Sequence, residues 1–329
     1  MTASNPIVST IDLDADGVQH GHLQLPHSRD DSAWGSILIP ITVIRNGSGP
    51  TALLTGANHG DEYEGPVALF DLAQTIQADQ VTGTMIILPA LNYPAFLAAT
   101  RTSPIDGGNM NRIFPGRPNG TISEKIADYV QSELVTRADL VLDFHSGGKT
   151  LDFVPFAAVH VLDDQDQQAA CNAALRAFNA PYSVMMREID NVGMLDTAVE
   201  TMGKVFVTTE LGGGGSSSAY TNAIAKRGVR NLLIHAGILA GEIERQPTQH
   251  LSMPEGCFVF GKDAGLVEYL VDLGSVVEAG QVIARVWPTD RTGSRPTDYP
   301  APFTGILAAR HFPGLIGIGD CLAVVALAG

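Results

Sequence analysis

At 329 residues the chain is longer than one compact core usually holds, so one large and one small domain are expected. Its composition, 45% apolar and 17% charged, is that of a soluble globular enzyme, and no run approaches the roughly 18 consecutive apolar residues of a membrane span. A formal charge of −15 argues against nucleic acid, which needs a basic surface, and is compatible with a cationic substrate. The start, Met1 to Ser9, has no basic stretch followed by an apolar one, so no secretory signal is expected. The cysteines Cys171, Cys257 and Cys321 are odd in number and widely spaced, which points to free thiols and a cytoplasmic location.

In chain order, Ser36–Arg45 and Thr51–Gly56 read as strands, Pro66–Ile76 as a helix and Thr84–Pro89 as a buried strand. An irregular stretch rich in Gly, Pro and Asn runs from Asn92 to Gly120, and loops of that length are usually functional. Thr121 and Glu124 have the spacing of a capping box, followed by an amphipathic helix through Ile126, Tyr129, Val130 and Leu134. Ala138–His145 and Val205–Glu210 are further strands. This alternation predicts a mostly parallel α/β sheet covered on both faces, through about residue 240. A polar linker, Glu242–Ser252, then leads to short β-like segments at Phe258–Phe260, Leu266–Tyr269, Val282–Val286, Gly305–Ala309 and Leu322–Leu327, as in a small barrel. The expected division is 1–245, with residues 1–35 as an N-terminal extension, and 246–329.

The strongest local signal is Asn58-His59-Gly60-Asp61-Glu62, which follows a strand and opens toward a helix. His59 and Glu62 can converge on one ion across such a turn. Zinc takes imidazole nitrogen and carboxylate oxygen at about 2.0–2.2 Å, and catalytic sites generally use three protein ligands. His145, at the end of another apolar strand, is the best third candidate, and Asp143 two residues earlier could orient a ligand histidine. Glu210 closes the strand Val205–Glu210 and is a candidate general base. Asn111 and Arg112 offer an amide donor and a planar fork suited to a carboxylate, and Arg101 shares their loop. His160 and His235 lie in apolar segments as core or edge residues, and His20 and His22 read as surface groups.

The ordered set His59-x-x-Glu62, Arg101, Asn111-Arg112, His145, Glu210 resembles the succinylglutamate desuccinylase/aspartoacylase family, over about residues 30–240. The resemblance implies a zinc carboxypeptidase-like mixed sheet flanked by helices. It implies one Zn2+ per subunit held by His59, Glu62 and His145, with Glu210 activating water. It also implies that Asn111 and Arg112 hold an amino-acid carboxylate and that Arg101 stabilises the oxyanion. Spacing between Arg101 and Arg112 is longer than in the aspartoacylases. The expected reaction is hydrolysis of the amide of a small N-acyl amino acid, with no nucleic-acid or membrane partner and a homo-oligomer, a dimer being favoured. The stretches Asp14–His22, Arg29–Gly35 and Asp143–Phe153 resemble one subgroup of the family, whose substrate keeps a free side-chain ammonium.

Gly274–Ala284 and Ala301–Gly305 resemble a biotinyl/lipoyl-type barrel, yet Pro288–Pro300 contains no lysine to carry a cofactor, which points to a structural or site-covering role. The P-loop reading of Gly148-Lys149-Thr150 fails because position 143 is Asp, and no Gly-x-Ser-x-Gly elbow is present. Two alternatives stay open: a carboxypeptidase-like peptidase, and a zinc-retaining binding module without catalysis.

Overall fold

A computed structural model describes residues 4–186 and 191–329. Strands cross the main sheet in the order Gly17–Pro26, Ser36–Asn46, Gly83–Leu88, Thr51–Gly56, Leu140–Phe144, Val205–Glu210, Phe156–His160 and Tyr182–Met186. The four strands from Gly83–Leu88 to Val205–Glu210 are mutually parallel. Their neighbours Ser36–Asn46 and Phe156–His160 run antiparallel to them, so the sheet is mixed, with the expected parallel arrangement at its centre.

Side chains alternate across the central strands because successive Cβ atoms point to opposite faces. Ala52, Leu54, Met85, Ile87, Leu140, Leu142 and Val207 enter one core, whereas Leu53, Ile86, Leu88, Val141 and Phe206 enter the other. The helices are α1 (Glu64–Thr75), α2 (Tyr93–Ala98), α3 (Ile122–Tyr129), α4 (Gln165–Phe178), α5 (Leu195–Glu200) and α6 (Ala219–His235). Residues of α1, α4 and α6 cover the first face, and residues of α3 and α5 the second. The capping box forms as the spacing predicts: Thr121 Oγ1 accepts from the Glu124 amide, and Glu124 Oε2 accepts from the Thr121 amide.

The stretch between Asn92 and Gly120 is mostly irregular but carries α2 and a tight turn at Met110–Arg112. His160 is buried at the end of its strand, with Nδ1 2.8 Å from Glu200 Oε1. His235 closes α6 at the surface, and His20 and His22 are exposed on Gly17–Pro26.

Beyond an irregular segment at residues 242–248, the strand Gln249–Ser252 pairs with Tyr182–Met186 and carries the main sheet on to Cys321–Ala328 and Gly305–His311. Facing them is a separate antiparallel sheet of Thr297–Pro300, Val282–Trp287, Gly265–Tyr269 and Leu315–Ile316. Val277, Ile283, Leu307, Ala323 and Val325 form a core within this segment, as expected of a small all-β, barrel-like unit. Among the described residues no helix is long and apolar enough to cross a membrane.

The packing of α4 on α6 depends on one small residue. A Cβ on Gly228 would lie 2.3 Å from Phe178 Cζ, and Phe178 in turn meets Phe144 edge-on at 6.1 Å. Gly228→Ala is therefore expected to destabilise the fold by about 1–3 kcal/mol through overpacking. A shift of the urea-unfolding midpoint reads this, and an unchanged midpoint would show that the ring can move aside.

Candidate active site

Strand register sets the floor of the site. Thr55, Asp143 and Thr208 lie side by side on three adjacent parallel strands. At that depth Asp143 is 1% exposed, and its carboxylate takes hydrogen bonds from its neighbours. Thr55 Oγ1 donates to Oδ1 at 2.6 Å, while Asn58 Nδ2 and His145 Nε2 each lie 2.9 Å from Oδ2. Burial alone would raise the Asp143 carboxyl, but His145 and these donors hold it below its ordinary value.

The chain leaves the strand Thr51–Gly56 through Ala57, which adopts the left-handed region at φ 50°. A side chain there costs roughly 1–2 kcal/mol, and the turn delivers Asn58 and His59 to the strand ends. The Gly60 amide is pinned to the Thr100 carbonyl at 3.0 Å, one residue before Arg101. Glu62 then follows just before α1.

His59, Glu62 and His145 meet as the sequence predicts. His59 Nδ1 lies 2.8 Å from Glu62 Oε1, and His145 Nδ1 lies 2.9 Å from Glu62 Oε2. One ligand atom from each residue falls within 4.8 Å of the others. Buried imidazoles and a carboxylate at this spacing suit a tetrahedral ion such as zinc, and the buried His59 Nε2 has no partner of its own. Burial would raise the Glu62 carboxyl, yet His59 and His145 overcome it and keep Glu62 ionised. For His145, burial pulls the imidazole down but Asp143 and Glu62 raise it well above the usual histidine range, whereas desolvation dominates at His59 and lowers it.

Glu210 stands at the same strand ends with a buried Oε2 that has no hydrogen-bond partner. Burial, reinforced by the charge of Glu62, pushes its carboxyl up to about 8. Arg101 is half-exposed, with Nη1 3.6 Å from Glu62 Oε1. Asn111 is buried: its Oδ1 accepts from Asn58 Nδ2 at 3.3 Å and from the Leu195 amide at 2.9 Å. Arg112 is exposed and donates from Nη1 to the Asn111 carbonyl at 2.6 Å.

Sequence reading missed Thr55, Asn58 and the Leu195 amide, whose roles arise from long-range pairing with no local pattern. It also missed Glu64, buried at the start of α1, where both carboxyl oxygens lack a hydrogen-bond partner and burial raises the carboxyl to about 7.

Residues 48–236 match the succinylglutamate desuccinylase/aspartoacylase catalytic domain. An N-alpha-acetyl-L-2,4-diaminobutyric acid deacetylase from Halomonas elongata is 53% identical, over 98% of this chain and 95% of its own. The chain belongs to the succinylglutamate desuccinylase/aspartoacylase family. Among solved structures of similar proteins, product-bound ectoine utilization protein EutE (DoeB) from Ruegeria pomeroyi is 67% identical with a TM-score of 0.97, covering 98% of this chain and 99% of that one. A succinylglutamate desuccinylase from a Silicibacter species is 63% identical with a TM-score of 0.97, covering 99% of each chain.

The arrangement of ligands and support predicts a graded loss of metal. Stoichiometric zinc is expected to disappear in His145→Ala, whereas Asp143→Asn should weaken zinc binding by about 10–100-fold, the usual weight of a residue that orients a ligand histidine. Elemental analysis after dialysis against graded chelator distinguishes the two, and full zinc retention by His145→Ala would remove it from the ligand set.

Proposed function

We propose that the protein is a zinc-dependent deacylase that hydrolyses N-alpha-acetyl-L-2,4-diaminobutyrate to L-2,4-diaminobutyrate and acetate in ectoine breakdown. Full-length similarity to the Halomonas deacetylase and to EutE supports the substrate. The observation that carries the reaction type is Glu210, whose Oε2 is buried and without a hydrogen-bond partner at a strand end beside the His-Glu-His triad.

In this reading His59, Glu62 and His145 hold the zinc ion, which when bound acidifies water and polarises the amide carbonyl. Glu210 takes the proton from the attacking water and returns it to the leaving amine nitrogen. Arg101, whose guanidinium already faces Glu62, supplies positive charge where the carbonyl oxygen becomes negative. Asn111 and Arg112 grip the α-carboxylate and make attack effectively intramolecular. The free cysteines fit a cytoplasmic enzyme, and a homo-oligomer belongs to the same proposal.

Glu210→Gln is expected to retain zinc and substrate binding while turnover falls by about 10²–10⁴-fold. Near-normal turnover would assign the proton to another group.

The substrate class is tested with N-acetyl-diaminobutyrate, N-acetylaspartate, succinylglutamate and a peptide, the first being hydrolysed best. With the preferred substrate, Arg112→Lys should lower kcat/KM for the free acid, because an ammonium cannot reproduce the planar fork, and the loss should shrink when the carboxylate is amidated. Equal losses on acid and amide would show that Arg112 does not read the carboxylate.

A further inference from the structure

The proposed carboxylate clamp raises a question of orientation. An asparagine side chain can present either its oxygen or its NH2 group, and a carboxylate only accepts hydrogen bonds. Asn111 serves the substrate only if its Nδ2 faces outward.

We propose that Asn58 is the positioning residue that fixes this choice and thereby ties the metal centre to recognition of the substrate carboxylate. The inference rests on the functional reading above. Asn58 is fully buried, and its Nδ2 spends its two protons on two acceptors, Asp143 Oδ2 at 2.9 Å and Asn111 Oδ1 at 3.3 Å. The Leu195 amide supplies the second donor to Asn111 Oδ1, at 2.9 Å. With its oxygen held by two donors, Asn111 has only its Nδ2 left to offer.

Asn58 is itself locked. Turning its amide over would set Oδ1 against the ionised Asp143 carboxylate, which already holds His145 Nε2 and Thr55 Oγ1. The direction is strong enough that Asn58 Oδ1 is left buried without a partner, an arrangement that folded proteins normally avoid. A continuous path therefore runs from the ligand His145 through Asp143 and Asn58 to Asn111. The orientation that Asp143 imposes on the ligand histidine also decides which face Asn111 turns to the substrate. The sequence places Asn58, Asn111 and the Asp143–His145 pair far apart; strand register brings Asn58 to Asp143, and the turn at Met110–Arg112 brings Asn111 to Asn58.

The test compares wild type, Asn58→Asp and Asn58→Ala on N-acetyl-diaminobutyrate and on its α-carboxamide, with zinc content and circular dichroism recorded for each. Asn58→Asp converts donors to acceptors at constant shape, and Asn58→Ala removes them without adding charge. Either folded variant suffices. Wild type should prefer the acid. In the variants kcat/KM for the acid should fall about 10–100-fold, mainly through KM, and the acid-to-amide ratio should shrink by at least about tenfold, in line with the weight of supporting hydrogen bonds around a site. The dissociation constant of the product L-2,4-diaminobutyrate, read by calorimetry, should rise with it, while that of its amide changes little. In an Asn111→Ala background, Asn58→Asp should no longer move the ratio. A merely structural role would lower both substrates together. A ratio within twofold of wild type in a folded, zinc-loaded variant overturns the role of Asn58 alone. A wild-type enzyme indifferent to amidation overturns the carboxylate reading as well.

Discussion

Asp143 occupies a position where an ionised carboxylate survives only if its lone pairs find donors. It lies 1% exposed among the parallel strands at the centre of the mixed sheet, and an unpaired charge there would cost several kcal/mol. It is satisfied from three directions: Thr55 on the neighbouring strand, Asn58 just beyond that strand's end, and His145 just past the end of its own strand. Once His145 Nε2 is committed to Asp143, its Nδ1 faces Glu62, and the geometry of the triad follows. The rest of the centre is built outward from this pairing.

Glu62 and Glu210 share one pocket but are driven in opposite directions. Both are desolvated, which would raise both. Glu62 lies between two imidazoles that compensate for burial, so it stays ionised and suits the role of a ligand. Glu210 meets the charge of Glu62 instead and is raised. Carboxyls separated in this way suit different chemical roles, and the proposed division, Glu62 as ligand and Glu210 as base, follows the same direction. The separation arises from position: Glu62 lies in the turn that follows Thr51–Gly56, Glu210 at the last residue of the parallel strand on the far side of Leu140–Phe144.

The central strands, the α3 cap and the triad were legible because each leaves a local mark: an apolar run ended by a polar residue, a Thr-x-x-Glu spacing, a histidine at a strand end. Thr51–Gly56 and Val205–Glu210 match their expected bounds. The strand Phe156–His160 was not read, since its direction depends on a tertiary choice that reverses the chain beside Val205–Glu210. Gly17–Pro26 was missed for a related reason. His20, His22 and Gln24 are exposed, and the strand becomes evident only through its ten-residue pairing with Ser36–Asn46. Asn58 lay in plain view within the strongest motif, but nothing local distinguishes a turn asparagine from one that bridges the candidate metal centre and the proposed clamp.

The loops that follow His145 and Glu210 are fastened by the same strand of the C-terminal segment. Leu151–Phe153 pairs with Gly305–His311, and Asp152 meets Arg310 at 3.1 Å. Arg310 also stacks over the Tyr269 ring at 5.6 Å, which draws the second sheet into the contact. Two residues on, the Phe312 amide donates to the Thr150 carbonyl, and the Phe312 ring occupies the space a Cβ on Gly214 would need, 2.6 Å from Cζ. Gly214 lies four residues after Glu210, and Thr150 five after His145. Displacing this strand would disturb the loop behind a metal-ligand candidate and the loop behind the proposed base at once. A barrel-like segment without a carrier lysine thus has a physical reason to stay joined to the α/β sheet: it braces the two loops on whose rigidity the spacing of His145 and Glu210 depends.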